Sequence, residues 1–345
     1  MPSGNAGDED RPLAVVVPKP DAEAAIDALE TEGVYDASRK VVEHDADTVA
    51  LPVSSRPETV DVRDTIHQTD PETRAPSLDD FLRERGWSDD EVERAPSSWA
   101  VVGDVLLVDP GDAPRPEEVG EALLDLHGEA DTVLERHGIA GEHREPDVRV
   151  LAGTGDTETV HVEHGTSYAL DLSRVMFSPG NKAERARMGE VVDAGEAVLD
   201  MFAGIGYFAL PMARGGARVT AVEKNPTSVG YLRENARLND VADRLDARLG
   251  DCREVAPTVD VDRVMMGYYD ATERAYLDAA LAAVRSGGVL HVHTACPETL
   301  LWDRPESRLA DAADAAEREI EVQARRVVKS HSEGVQHVVL DVRVE

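Results

Sequence analysis

The residues best suited to chemistry begin at Asp200, in the run Asp200-Met-Phe-Ala-Gly204-Ile-Gly206-Tyr-Phe-Ala209. Its pattern is that of a strand end entering a glycine-rich turn and then a helix. Read as Gly204-x-Gly206-x-x-Ala209, the run also satisfies the loose dinucleotide fingerprint. Electrostatics separates the two cofactors this allows. A pyrophosphate needs bare amides at a helix N-terminus, and Asp200 a few residues away repels it. S-adenosylmethionine carries an ammonium and a sulfonium, for which a nearby carboxylate is a favourable partner. Glu223 ends the next apolar run, about 20 residues on, where an acid accepts ribose hydroxyls. Asp251 ends the third, where a carboxylate can take an adenine amino group, and Cys252 beside it is expected to pack near adenine. Three acids closing three successive strands point to a site for S-adenosylmethionine. Taken singly, Asp200 or Glu223 reads as well as a solvated loop acid.

These acids require a particular scaffold. From about residue 173 onward the pattern alternates helix (NKAERARMGEVV), strand (AVLDMF), helix (GYFALPMARGG), strand (ARVTAVE), helix (PTSVGYLRENARLN) and strand (DARLG). It continues through DRVMMG, a helix in TERAYLDAALAAVR, the strand GVLHVHTA, a helix near 304–319, and two closing strands joined through SHSEG. Strands separated by crossover helices predict an α/β, doubly wound parallel sheet with ligands at the carboxyl ends of its strands. The final pair predicts an antiparallel hairpin at the edge, as in nucleotide-fold (class I) methyltransferases. Upstream, smaller α/β blocks are expected: residues 13–53 as strand, helix and strand, and 76–172 as a mixed α+β domain. Residues 54–75 are polar and lack periodicity, so they read as a linker or insertion. Residues 1–12 read as a short disordered tail.

Composition sets the outer limits. The chain has 345 residues, long enough for two or three domains. Its 69 acidic and 36 basic residues leave a formal net charge of −33, spread along the chain rather than collected in a tail. Dispersed acid argues against nucleic-acid partners, because a binding face must neutralise phosphates. It equally fits adaptation to a salty cytosol, where screening lengths fall to about 3 Å, so RNA is not excluded. Cys252 and Cys296 are too few for a disulfide framework or a zinc site, and no metal is expected. No apolar run approaches the ~20 residues of a membrane span, and the N-terminal MPSGNAGDED lacks the features of a signal peptide. A cytoplasmic, reduced, halophilic monomer is the expectation.

With these motifs in place, the chain resembles the archaeal and eukaryotic enzymes that modify position 37 of tRNA. DMFAGIGYF, AVEKNPTSVGYLRENARLN and LGDCRE are similar to their cofactor half, and SSWAVVGDVLLVD, TVHVEHGTSYALDLSRVMFSPGN and VVKSHSEGVQHVVLDV follow their layout. The resemblance implies two possible activities. One branch methylates N1 of guanine 37. The other, in wybutosine synthesis, transfers the 3-amino-3-carboxypropyl group of S-adenosylmethionine to C7 of 4-demethylwyosine in tRNA(Phe). Two stretches favour the second branch. Phe177-Ser178-Pro179-Gly180-Asn181 stands where the methylating branch tends to have Phe-Ser-Pro-Arg-Leu, and Gly267-Tyr268-Tyr269 stands where it has Asn-Leu-Pro. Losing the Asn removes an amide that reads a guanine edge, while tyrosine offers a π face to a flat tricycle.

The same resemblance implies contacts to the co-substrate from Ser178, Arg185, Asp200, Phe202, Gly204, Gly206, Glu223, Lys224, Asp251 and Cys252. Arg185 would grip the methionine carboxylate bidentately; without the resemblance it reads as a surface helix arginine, and Ser178 as a helix cap. Gly267, Tyr268, Tyr269 and His293 become the candidates to meet the base. His291 and His293 alternate on one strand and so share a face, where proton removal is one role and a structural one the other. The resemblance makes the anticodon region of tRNA the partner, and the two upstream blocks the parts that grip it. A non-catalytic tRNA-binding module with a retained cofactor fold is the third reading, against which an intact Asp200, Gly204, Gly206 and Glu223 speak. No general base is evident.

Overall fold

The computed structural model describes residues 11–345. The tail expected over 1–12 therefore lies, apart from Arg11 and Pro12, outside the described residues. Two compact units divide the chain, one running through Trp87 and the other Ser88–Glu345.

In the first unit an antiparallel sheet has the order β2-β3-β1-β4, with β1 Leu13–Pro18, β2 Val42–Glu43, β3 Thr48–Val53 and β4 Asp64–His67. Helix α1, Ala22–Glu32, lays Ala25 and Leu29 on Val15, Val17, Leu51 and Val53. Strand β4 corrects the reading of 54–75 as a linker or insertion. Its residues, DTIH, carry one aliphatic side chain and none is buried, so backbone pairing to β1 holds it without an apolar face to betray it. Helix α2, Leu78–Glu84, also belongs to this unit, ahead of the division at Trp87. Arg74 ties it there by donating to the Ala37 carbonyl and to the carboxylate of Asp80 on α2.

The second unit opens with α3, Asp89–Val92, and a sheet of order β5-β6-β7-β8, comprising Trp99–Val102, Val105–Val108, Thr132–Ala140 and Glu145–Gly153. Helix α4, Pro116–Leu126, buries Val119, Ala122 and Leu123 there. A hairpin follows, β9 Glu158–Glu163 with β10 Thr166–Asp171, then α5, Lys182–Val191. The large sheet runs β13-β12-β11-β14-β15-β17-β16. Its strands are β11 Ala197–Asp200, β12 Arg218–Glu223, β13 Leu245–Leu249, β14 Val261–Met266, β15 Val284–Pro297, β16 Ile320–Ser332 and β17 Val335–Val344. The first five are mutually parallel and the last two pair antiparallel, as the alternation and closing hairpin predict. Helices α6 Ala209–Arg214, α7 Pro226–Leu238, α8 Cys252–Val255, α9 Arg274–Ala283 and α10 Asp303–Ala315 complete the unit.

One continuous core joins the β5–β8 sheet and the β9–β10 hairpin to the large sheet, running from Val102 and Leu134 through Tyr168 and Phe177 to Val198 and Phe208. Helix α7 fastens the hairpin by a device specific to its sequence. Asn235 and Asn239, four apart and so on one helix face, each accept from and donate to the backbone of Ala169 and Ser167 respectively. Two amides thereby satisfy an open strand edge that would otherwise bury unpaired peptide groups. Among the described residues no helix is long and apolar enough to cross a membrane.

Candidate active site

The carboxyl ends of β11, β12 and β13 place the predicted acids side by side. Asp200 is fully buried; its Oδ1 accepts from the Phe202 amide at 3.2 Å, and its Oδ2 has no hydrogen-bond partner among the described residues. Burial, with Glu223 adding repulsion, pushes its pKa up to about 7. A buried carboxylate oxygen without a donor is costly, and a cation delivered by a ligand would remove that cost. Glu223 accepts the amides of Gly204 at 2.9 Å and Asn225 at 2.8 Å, one on each oxygen, leaving a lone pair on each free for a diol. The turn between the two acids needs glycine twice. Gly204 and Gly206 have φ of 54° and 106°, and a Cβ would lie 2.2 Å from the Tyr207 ring and 2.6 Å from Leu210 respectively. These groups fit S-adenosylmethionine: an unpaired acid for its cationic end and an oriented acid for its ribose.

Asp251 differs from its expected role. It caps α8 by accepting the Arg253 amide, and its carboxylate is held by the Arg253 guanidinium and by Lys224 at 3.0 Å, which keep it charged well below the usual carboxylate range. Lys224 also pairs with Glu142 at 2.7 Å on the β7–β8 turn. Cys252 is buried beside it, and burial pushes its thiol up to about 12, so it is no nucleophile. Phe202 packs with Tyr268 and Tyr276, both at 5.1 Å between ring centroids.

At the other end of the site, Arg185 corrects an expectation. Its fork is already taken: Nε and Nη2 donate to Glu163 at 2.7 and 2.8 Å, while Nη1 donates to the Ser178 carbonyl at 3.0 Å. Both side chains of the pair are buried. Arg185 therefore braces the Ser178 loop rather than offering a bare fork to a carboxylate. The free cation here is Lys329, whose Nζ donates to Ser178 Oγ at 3.1 Å and which has no carboxylate in ion-pair range among the described residues. Burial, then Arg185 and Arg136, lowers its pKa. Gly180 makes room for it, since a Cβ there would meet Nζ at 2.9 Å.

Gly267-Tyr268-Tyr269 follows β14, and its two tyrosines part. Tyr268 turns to Phe202 and Tyr276, with the Arg144 guanidinium 5.8 Å from its ring centroid; Tyr269 turns to His331 and His337 at 4.5 and 4.9 Å. In a chain with only 4 % aromatic residues, this gathering is a concentration. A Cβ at Gly267 would lie 2.8 Å from the Phe208 ring, so Phe208 occupies the space a larger residue would claim. His291 and His293 share a face, as alternation predicts. His291 is committed to Asp341 and Arg263, each at 2.6 Å, and is structural. His293 meets His337 at 3.0 Å. Arg144, Tyr276, Lys329 and His337 were not anticipated at this site; no local pattern marks them, because each arrives from another element.

A doubly wound sheet of this strand order with acids at the ends of its first three strands defines a class I S-adenosylmethionine-dependent transferase. Residues 159–323 match the TRM5/TYW2 methyltransferase domain and residues 78–157 the TYW2 N-terminal domain. The tRNA(Phe) (4-demethylwyosine(37)-C(7)) aminocarboxypropyltransferase of Pyrococcus horikoshii is 39 % identical over 73 % of this chain and 91 % of its own. The crystal structure of P. horikoshii TYW2 in complex with MeSAdo has a TM-score of 0.67 at 35 % identity, covering 76 % of this chain and 96 % of that one. The tRNA (guanine(37)-N(1))-methyltransferase Trm5b of Pyrococcus abyssi is 31 % identical over 72 % of this chain and 75 % of its own; its crystal structure has a TM-score of 0.73 at 28 % identity, covering 96 % and 99 %. The chain belongs to the TRM5/TYW2 family.

Proposed function

We propose that this chain transfers the 3-amino-3-carboxypropyl group of S-adenosylmethionine to C7 of 4-demethylwyosine at position 37 of tRNA(Phe). The observation that carries this reading is the segment Gly267-Tyr268-Tyr269. Position 267 has no amide to read a guanine edge, the space for one is filled by Phe208, and two tyrosine rings border the segment. The greater identity to the aminocarboxypropyl relative than to the methylating one, 39 % against 31 %, supports it.

The co-substrate supplies a sulfonium with three attached carbons open to displacement, so the chain's task is orientation. Asp200 and Glu223 hold the cationic and ribose portions. Ser178 and Lys329 offer a hydroxyl and an ammonium to the methionine carboxylate, on a loop that Arg185 braces. Phe202 and Tyr268 wall the adenosine side, Lys224 and Asp251 close it with Cys252 beneath, and Tyr269 offers its ring to the base. The anticodon region of tRNA is the partner, approached by a monomer in the cytoplasm. The dispersed negative charge of −33 is an adaptation to high salt, which also weakens the repulsion between the protein and RNA phosphates.

Incubation in high salt with tRNA and S-adenosylmethionine labelled separately in its methyl and carboxyl carbons tests the reading. Carboxyl label is expected to enter tRNA that carries 4-demethylwyosine. Methyl label entering tRNA with an unmodified guanine 37 would assign the sister activity instead, and transfer of neither would assign a binding module.

A further inference from the structure

Beside the Ser178 loop lies a cleft of about 560 Å³ whose walls include Arg94, Trp99, Asp109, Arg136, Phe177 and Pro179. Cavities of roughly 300–1,000 Å³ take ligands of drug size, a range that includes a nucleotide. Trp99 on β5 is half-buried and pinned: its Nε1 donates to His127 Nε2 at 2.6 Å, and the two rings meet edge to face at 5.7 Å between centroids. With its one polar atom so used, the indole can offer the cleft only π surface. Arg136 on β7 is exposed and makes no side-chain hydrogen bond or ion pair among the described residues. It stands near enough to Lys329 to act, after burial and Arg185, in lowering that ammonium's pKa. Two neighbouring cations without a carboxylate in ion-pair range repel one another, and an anion between them would remove that cost. Arg94 is exposed as well, its Nε donating to the Asp90 carbonyl at 3.2 Å, and the Asp109 carboxylate accepts the Gly111 amide at 3.1 Å.

This combination suits a nucleotide: guanidiniums for a phosphate, an indole face for a base and a carboxylate for an amino group on a base edge. An inorganic anion would use the first of these alone. The place of the cleft follows from the chain. Phe177 and Pro179, both in its wall, flank Ser178, to which the reading above gives the methionine carboxylate. The carbon to be transferred and the base at position 37 must meet at that end of the site, so a nucleotide joined to position 37 comes within one backbone repeat of the cleft. We propose that the cleft seats the nucleotide of tRNA adjacent to position 37, with Trp99 stacked on its base and Arg136 and Arg94 on its phosphate. This assignment rests on the position-37 reading of the site. Trp99, Arg136 and Arg94 are then positioning residues: they touch no reacting atom, and by holding the neighbour they fix where the reacting base can reach.

Trp99→Ala is expected to weaken binding of tRNA(Phe) carrying 4-demethylwyosine about 5-fold or more, the worth of one stacked base, while Trp99→Phe keeps it. Calorimetric affinity for S-adenosylmethionine should stay native in both. The deciding measurement is a double-mutant cycle between protein and RNA. A nucleotide without its base, placed on the 5′ or on the 3′ side of position 37, should cost the native protein a similar factor at one of the two places and cost Trp99→Ala nothing further there. A neutral methylphosphonate in place of the phosphate at that nucleotide should couple in the same way to Arg136→Gln. Because Arg136 is exposed, this second cycle decides the matter should Trp99→Ala fail to fold. Losses that simply add on both sides of position 37 would overturn the proposal. So would a fall in the affinity of the free protein for S-adenosylmethionine, which would give the cleft to the methionine arm. Native protein that transfers no carboxyl label would overturn the functional reading itself, a result the binding cycles do not share.

Discussion

Asp200→Asn should make the ligand-free protein more stable and the ligand-bound one rarer. The folded protein raises the Asp200 pKa from 3.8 to about 7, chiefly by burial. An acid whose folded pKa lies above its unfolded one destabilises the fold as pH rises past the unfolded value, and the penalty is complete above the folded value. Three units at 1.36 kcal/mol each make that penalty about 4 kcal/mol at pH 8. Asparagine removes the charge but leaves an NH2 or oxygen without a partner where Oδ2 now has none, which returns about 1–3 kcal/mol of the gain. A net stabilisation of roughly 1–3 kcal/mol remains, several degrees in melting temperature. It should shrink as pH falls through about 7 and be lost only well below 3.8, where the native carboxyl is neutral in both states. Titration calorimetry supplies the other half. S-adenosylmethionine requires the ionised acid, so native affinity should fall about tenfold per pH unit below about 7, while the asparagine variant binds weakly and without that slope. An asparagine variant less stable than the native protein at pH 8, or one that binds S-adenosylmethionine with the native affinity and slope, would refute the assignment of Asp200 to the cationic end.

Glu223→Ala should weaken S-adenosylmethionine binding by about 1.5–3 kcal/mol, the worth of hydrogen bonds to a charged group, while leaving tRNA affinity nearly intact. It should also lower the melting temperature, because the amides of Gly204 and Asn225 lose their acceptor; unchanged calorimetric affinity would displace the ribose site. Gly267→Asn should lower stability by about 1–3 kcal/mol through overpacking against Phe208, with carboxyl-label transfer falling alongside; because the two side chains compete for one space, the double variant with Phe208→Ala should lose less stability in thermal melts than the two single variants summed. Removing salt should unfold the protein cooperatively through repulsion among its excess acids, so circular dichroism from molar potassium chloride downward should show a melting temperature that falls with ionic strength; a flat response would remove the salt adaptation.

What could be read in advance follows the range of the interactions involved. The doubly wound sheet was legible because each strand and helix announces itself within about ten residues by period and by its flanking turns. The placement of Asp200, Gly204 and Glu223 at strand ends and the turn between them was legible for the same reason, because local pattern fixes it. The polar strand β4 was not, since an edge strand held by backbone pairing leaves no mark on side-chain pattern. Arg185 was misjudged because its partner, Glu163, lies on the β9–β10 hairpin, in a block assigned to another domain. The shared core from Tyr168 to Val198 makes the two blocks one folding unit in which such a pair is buried.

The division of labour at the site follows from this. The end proposed to hold adenosine is built from the ends of consecutive strands, so the placement of its residues can be read from sequence. The end proposed to set which carbon reacts is built from contacts between distant segments: Lys329 reaches Ser178 from the closing hairpin, and Phe208 fills the space beside Gly267. Each of these can change without disturbing a strand–turn–helix motif. A scaffold arranged in this way can keep one co-substrate fixed while its choice of carbon and base is retuned, because the side chains proposed to orient the methionine arm and receive the base carry none of the hydrogen bonds that hold Glu223 and the glycine turn in place.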